Sequence, residues 1–181
     1  MNITIQKEVE IKSSYSSILS IDLGEKVIAT SVVLVNQKPQ FYGREVRGIR
    51  RKYAYIRKNL GKRKMLREIK RFKNKEKRIV NDILHNISKQ IVEQAEQTNS
   101  IIVLGDLKGI RKSSRGKRFN RIISNMPYFK LTQYIEYKAN WKGIKVIKIN
   151  EKGTSHTCSR CGSKGTGHIK DYSSVKNVVT K

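Results

Sequence analysis

The chain has 181 residues, of which 37% are hydrophobic, and its 40 lysines and arginines stand against 14 acids to give a formal charge of +26. That length fits one domain with a small appendage, and the charge goes far beyond what solubility needs, so a polyanionic partner is expected, nucleic acid before an anionic membrane surface. No apolar run approaches the ~20 residues of a membrane span, and the opening MNITIQKEVEIKSS carries charges where a signal peptide has an apolar core, so an intracellular, cytoplasmic and nucleoid-associated protein is expected, with its oligomeric state left open.

Residues 3–11 alternate polar and apolar and predict an edge strand. Residues 17–23, SILSIDL, predict a second strand, and the β-branched run 27–35 a third. After the turn NQKPQ, the segment PQFYGRE predicts one more, with Gly43 as a bulge. The composition then changes. From Arg44 to Arg78 there are 17 basic residues and three acids, good helix formers dominate, and Gly61 is the expected break between two helices or the arms of a hairpin. Residues 79–95 put Ile79, Val80, Ile83, Leu84, Ile87, Ile91, Val92 and Ala95 on one face of a helix that must pack on a sheet. A strand at 101–104 follows, expected to lie parallel to the one at 17–23. The loop 108–121 carries seven basic residues and no acid. Asn125 and Pro127 predict the start of a helix that places Leu131, Tyr134, Ile135 and Lys138 on one face and ends at Gly143. The run 144–149 is the last predicted strand. A meander of three strands followed by αβαβ is the order of an α/β, ribonuclease-H-like mixed sheet.

In that architecture two neighbouring strands can face carboxylates toward divalent metals. Two-metal phosphodiester hydrolysis needs three or four hard oxygen ligands. Asp22 stands inside an apolar strand, and two readings fit it: a metal ligand, or a solvated acid paired with one of the many lysines. The segment IIVLGDLKGIR offers Gly105 and Asp106, and strand neighbours point to opposite faces unless a bulge intervenes. The basic segments supply phosphate contacts without sequence readout: Arg50, Arg51, Arg57, Lys58, Lys62, Arg63, Arg67 and Arg71 in the helical part, and Arg111, Arg115, Arg118 and Arg121 in the loop. Tyr53, Tyr55, Phe72 and Phe119 are interleaved with them, either to stack on bases or to pack inward. Cys158 and Cys161 form a CxxC of the kind that holds zinc, with His156 and His168 as the available completing ligands. A half-site with weak or partial zinc is expected.

Taken together, SIDLGEKVIATSVVL, IIVLGDLKGIR and KLTQYIEYKANWKGIKVIKINEKGTSHTCSRCG resemble the C-terminal half of TnpB, the OrfB protein of insertion-sequence transposons, a family related to type V CRISPR effectors. The resemblance covers roughly residues 16–163. It implies a RuvC-type nuclease domain over 16–150 with a basic helical segment at 44–98. It also implies a degenerate half of a zinc ribbon over 151–181, and a remnant strand of a missing N-terminal domain over 1–15. The family's activity is RNA-guided DNA cleavage, with magnesium held by three acids. Asp22 matches the first of them. The second, a Glu in the family, aligns with Gly105, and Asp106 matches a motif residue that is not the main ligand. The third follows a second CxxC that is absent here, and Asp171 is the only acid near it. The resemblance therefore implies a truncated, nuclease-deficient binder of DNA and guide RNA. The alternatives are an active magnesium-dependent nuclease using Asp22, Asp106 and Asp171, and an unrelated basic RNA-binding protein.

Overall fold

A computed structural model of the chain describes residues 5–36, 38–107, 116, 120 and 126–150. All the elements below lie within Met1–Ile149. Three strands come first: β1 (Ser17–Asp22), β2 (Ala29–Val33) and β3 (Pro39–Tyr42). Two helices follow, α1 (Arg44–Lys62) and α2 (Leu66–Gln97), then β4 (Ser100–Gly105), α3 (Tyr128–Trp141) and β5 (Val146–Ile149). The sheet order is β3-β2-β1-β4-β5. The meander β1–β2–β3 is antiparallel, and β4 lies parallel to β1 and to β5.

One face of this mixed sheet is covered by helices. β1 alternates strictly, with Ser17, Leu19 and Ile21 buried and their neighbours exposed. Leu19, Ile21, Ala29, Val33, Ile102 and Leu104 meet Leu84, Ile87, Ile91 and Ala95 of α2 and Leu131, Ile135 and Ala139 of α3 in one core. The apolar face expected over 79–95 is the face α2 buries, which accounts for a helix that sequence propensity alone would not hold in place. Two buried hydroxyls in this core find partners, Ser31 Oγ donating to Gln94 Oε1 at 2.8 Å and Ser88 Oγ to the His85 carbonyl at 2.9 Å, whereas Ser17 Oγ is buried without one.

Three local expectations are corrected. Gly43 is not a bulge. It caps α1 with φ 71, and a Cβ there would sit about 3 Å from the Ile28 and Ile87 side chains, so only glycine fits without displacement. Gly61 does not break the helix. α1 runs past it to Lys62, and the chain turns at Lys64, whose φ is 55. The Met65 N–H donates to the Leu60 carbonyl and the Lys64 N–H to the Gly61 carbonyl, both at 3.0 Å. That is a Schellman closure with a lysine where glycine is usual. Residues 5–11 form no strand. Of the apolar positions in the expected alternation, Ile5 and Ile11 are exposed and Val9 is half-buried. Instead the Lys12 N–H donates to the Gly143 carbonyl (3.0 Å), and the Tyr15 hydroxyl accepts from the Lys145 N–H (2.8 Å), which ties this segment to the turn between α3 and β5.

Candidate nucleic-acid interface and sheet-end carboxylate

Strict alternation along β1 sends Asp22 to the face that the helices leave uncovered, where it is exposed. A strand-end acid at an open face keeps its hydration, so no buried charge has to be compensated. The parallel ladder beside it pairs residues one for one, from Ser17↔Ser100 to Ile21↔Leu104. The next pair in that register sets Gly105 beside Asp22, on the same face. β4 keeps the same regularity against β5, from Ile102↔Val146 to Gly105↔Ile149. The Asp106 N–H then donates to the Ile149 carbonyl at 2.6 Å, so the ladder continues through Gly105 with no inserted residue. Continued alternation assigns residue 106 to the face opposite Asp22.

Among the described residues no three His, Cys, Asp or Glu side chains come close enough to share a metal ion. Asp22 is the one carboxylate that strands β1 and β4 bring to that face, and Gly105 contributes no side chain. Among the described residues this donor set falls short of a two-magnesium site, which needs three or four carboxylates. The nearby Glu25 is engaged with Arg47, 2.8 Å from its Nε. Asp171, Cys158 and Cys161 lie outside the described residues, as do Arg111, Arg115, Arg118, Arg121 and Phe119.

The helical arm is built differently. α1 packs along α2, and helical phase sorts its basic residues into two stripes. Val46, Arg50, Tyr53 and Arg57 recur at i, i+4, i+7 and i+11 on the inward stripe, where Val46 and Tyr53 are buried. Arg57 is ion-paired with Glu76 of α2. Arg50 is partly buried, and desolvation lowers its pKa below the ordinary guanidinium value, with Glu76 opposing and Arg57 adding to the shift. Arg57 thus ties α1 to α2, while the Nε of Arg50 is buried without a hydrogen-bond partner. Arg51, Tyr55, Lys58 and Lys62 form the outward stripe, all exposed, and Arg63, Arg67 and Arg71 continue it around the turn into α2. Arg71 stands 4.0 Å from Glu68, an exposed pair worth little. The aromatics divide in the same way: Tyr53 is 7% exposed and packs inward, while Tyr55 is 67% exposed among the cations.

A second basic surface, which composition did not single out, lies between α2 and α3. His85 stacks on Tyr134 with ring centroids 3.9 Å apart, and Tyr137 meets Tyr134 edge-on at 6.1 Å. Lys138 Nζ donates to the His85 carbonyl at 2.5 Å and to Ser88 Oγ at 2.7 Å, which fixes α3 on α2. The spacing of Tyr134, Tyr137, Lys138 and Trp141 along α3 was the signal available for it.

A family profile described as Cas12f1-like, TNB domain, matches residues 128–179. A TnpB-like protein of Methanocaldococcus jannaschii is 32% identical over 172 residues, covering 87% of this chain and 61% of its own length. A CRISPR-associated endodeoxyribonuclease Cas12f1 of Sulfoacidibacillus thermotolerans is 33% identical over 172 residues, covering 84% of this chain and 39% of its own. The chain thus spans less than two thirds of either relative. Its fold is also that of a solved Cas12f1–sgRNA–target DNA complex, with TM-score 0.66 at 18% identity over 86% of this chain and 41% of that one. The fold is shared with Cas12f1, and over the stretch it spans the chain is similar in sequence to TnpB-like and Cas12f1 proteins.

Proposed function

We propose that this chain is a nucleic-acid-binding member of the RNA-guided DNA endonuclease family and that it does not cut DNA by itself. Its partners are RNA and DNA, bound through the outward stripe of the helical arm and the basic loop. The observation that carries the first half is the segregation of the arm: Arg51, Lys58, Lys62, Arg63, Arg67 and Arg71 are exposed around one turn, with few acids to neutralise them. The relatives' names, endodeoxyribonuclease and TnpB-like protein, and the sgRNA and target DNA of the structural neighbour, support the choice of partner. The sheet order and the ladder register support a ribonuclease-H-like, RuvC-type frame.

The observation that carries the second half is the ladder. Its register supports Gly105 as the residue beside Asp22, and alternation carried one residue past β4 supports Asp106 on the other face. Magnesium would act on such a site by activating a water and stabilising the leaving oxygen, but the described residues do not supply its ligands. Zinc at Cys158 and Cys161 belongs to the same proposal as a partial site, with less than one zinc per chain by elemental analysis; a stoichiometric zinc overturns that part. A cytoplasmic, nucleoid-associated location is part of the same proposal, and the +26 charge is in keeping with it.

The deciding experiment incubates purified protein, with its co-purifying RNA, with labelled DNA and magnesium. Cleavage no greater than that of an Asp22→Asn variant is expected. Magnesium-dependent cleavage that Asp22→Asn removes would overturn the nuclease-deficient reading and leave the binding reading intact.

A further inference from the structure

Between the C-terminal half of α2, α3 and residues near Lys7 lies a cleft of about 410 Å³, lined by four lysines (Lys7, Lys89, Lys138, Lys142) against the single acid Glu93, with Val92, Tyr137 and Trp141 as its remaining walls. The volume falls in the range of sites for nucleotide-sized ligands. Tyr137 and Trp141 are 42% and 47% exposed and stand one helical turn apart on α3, so their side chains share one side of the helix. Exposed aromatic faces within a basic groove are what a single strand needs: bases stack on the rings, and cations follow the phosphates. From these observations we propose that the cleft is a second nucleic-acid site, which takes a short single-stranded stretch with its bases on Tyr137 and Trp141 and its phosphates on Lys89 and Lys142.

The lysines have distinct parts. Lys138 is committed to the His85 carbonyl and Ser88 Oγ, so it sets a fixed positive charge at the floor and positions α3. Lys89 stands 3.8 Å from Glu93, and Lys142 3.1 Å from Glu96, both in exposed pairs. Such pairs are weak and exchange readily for a phosphate. Lys7 Nζ donates to the Trp141 carbonyl at 3.4 Å, which brings the N-terminal segment to the rim. A duplex keeps its bases stacked internally and offers no free faces to the rings, so single strands are selected. The proposal rests on the nucleic-acid-binding reading above and adds to it a site apart from the helical arm.

Trp141 is the chain's only tryptophan, so its fluorescence reports this cleft and no other place. The full chain is titrated with end-labelled single-stranded RNA, single-stranded DNA, duplex DNA and inorganic polyphosphate, with label anisotropy and Trp141 emission followed together. Quenching by a single strand and not by polyphosphate or duplex is expected, and the strand that quenches at lower concentration, RNA or DNA, names the ligand. Tyr137→Ala should weaken single-strand binding about tenfold and Tyr137→Phe less than twofold, with thermal melts verifying that both variants fold. Binding by anisotropy with Trp141 emission unchanged would overturn the cleft and leave the arm reading standing. Equal quenching by polyphosphate would overturn base stacking. Absence of any binding would overturn both readings.

Discussion

The helical arm and the sheet end ask opposite things of their residues. The arm presents many interchangeable cations on one stripe, and each contributes a similar increment to attraction for phosphate. Losing one weakens binding and nothing more. The sheet end works only if several carboxylates arrive at one point in register, and the β1–β4 ladder brings one acid and one glycine. A charged surface therefore tolerates sequence drift that a metal site does not, and the proposed reading of this chain rests on that difference.

The largest effect expected from this contrast comes from replacing Arg51, Lys58, Lys62, Arg63, Arg67 and Arg71 together by glutamine. Nucleic-acid affinity should fall by orders of magnitude, and the slope of log K against log salt by up to about 4, while Asp22→Asn should change neither. Anisotropy titrations across a salt series measure both, and an unchanged slope would remove the arm from the interface. Next in size, Ile91→Ala in the apolar half of α2 should cost about 3 kcal/mol in urea unfolding, because Ile91 is fully buried. Arg57→Gln separates the two stripes: it should cost about 1–2 kcal/mol of stability by loss of the Glu76 partner and leave the salt slope alone. Arg51→Gln should do the reverse, with a slope change of about 0.7 and little effect on stability. Lys64→Gly should stabilise by about 1 kcal/mol by relieving the left-handed turn. The smallest effect is at His85. Burial, and then Lys138 and Lys130, push its pKa below the ordinary histidine value. Its contribution to stability is therefore complete above the unfolded-state pKa and is lost as pH falls through about 6.5 toward the lower folded value. The melting temperature of His85→Gln should decline less between pH 7 and 5.5 than that of the parent chain, and identical declines would remove His85 as the cause.

The parts legible in the sequence were those whose pattern is set by burial. The face of residues 79–95 announced itself because eight apolar side chains recur at the helical period, and α2 buries that face. The parallel pairing of β1 with β4 followed from element order. Glycine misled twice, because it marks conformational permission and not what the chain does with it. Gly43 caps a helix, and Gly61 sits inside one. The alternation of residues 3–11 suggested a strand, yet a strand needs a neighbour to pair with, and sequence does not name one. Counting charges could not separate Arg50 and Arg57 from Arg51 and Lys58. Helical phase could have done so, since Val46 and Tyr53 share the inward stripe with the first two. The register question at Gly105 was visible in the sequence, but its answer lay in β5, which pairs with β4 without an extra residue.

α2 runs unbroken for 32 residues, about 48 Å at helical rise. Its first half belongs to the charged arm and its second half is bolted under the sheet. On the proposed reading, a strand of nucleic acid gripped at Arg67 and Arg71 holds one end of a stiff rod whose other end is set in the core beside α3. A pull at the tip has no loop in which to dissipate before it reaches Leu84 and Ile91, so grip and scaffold are mechanically a single part.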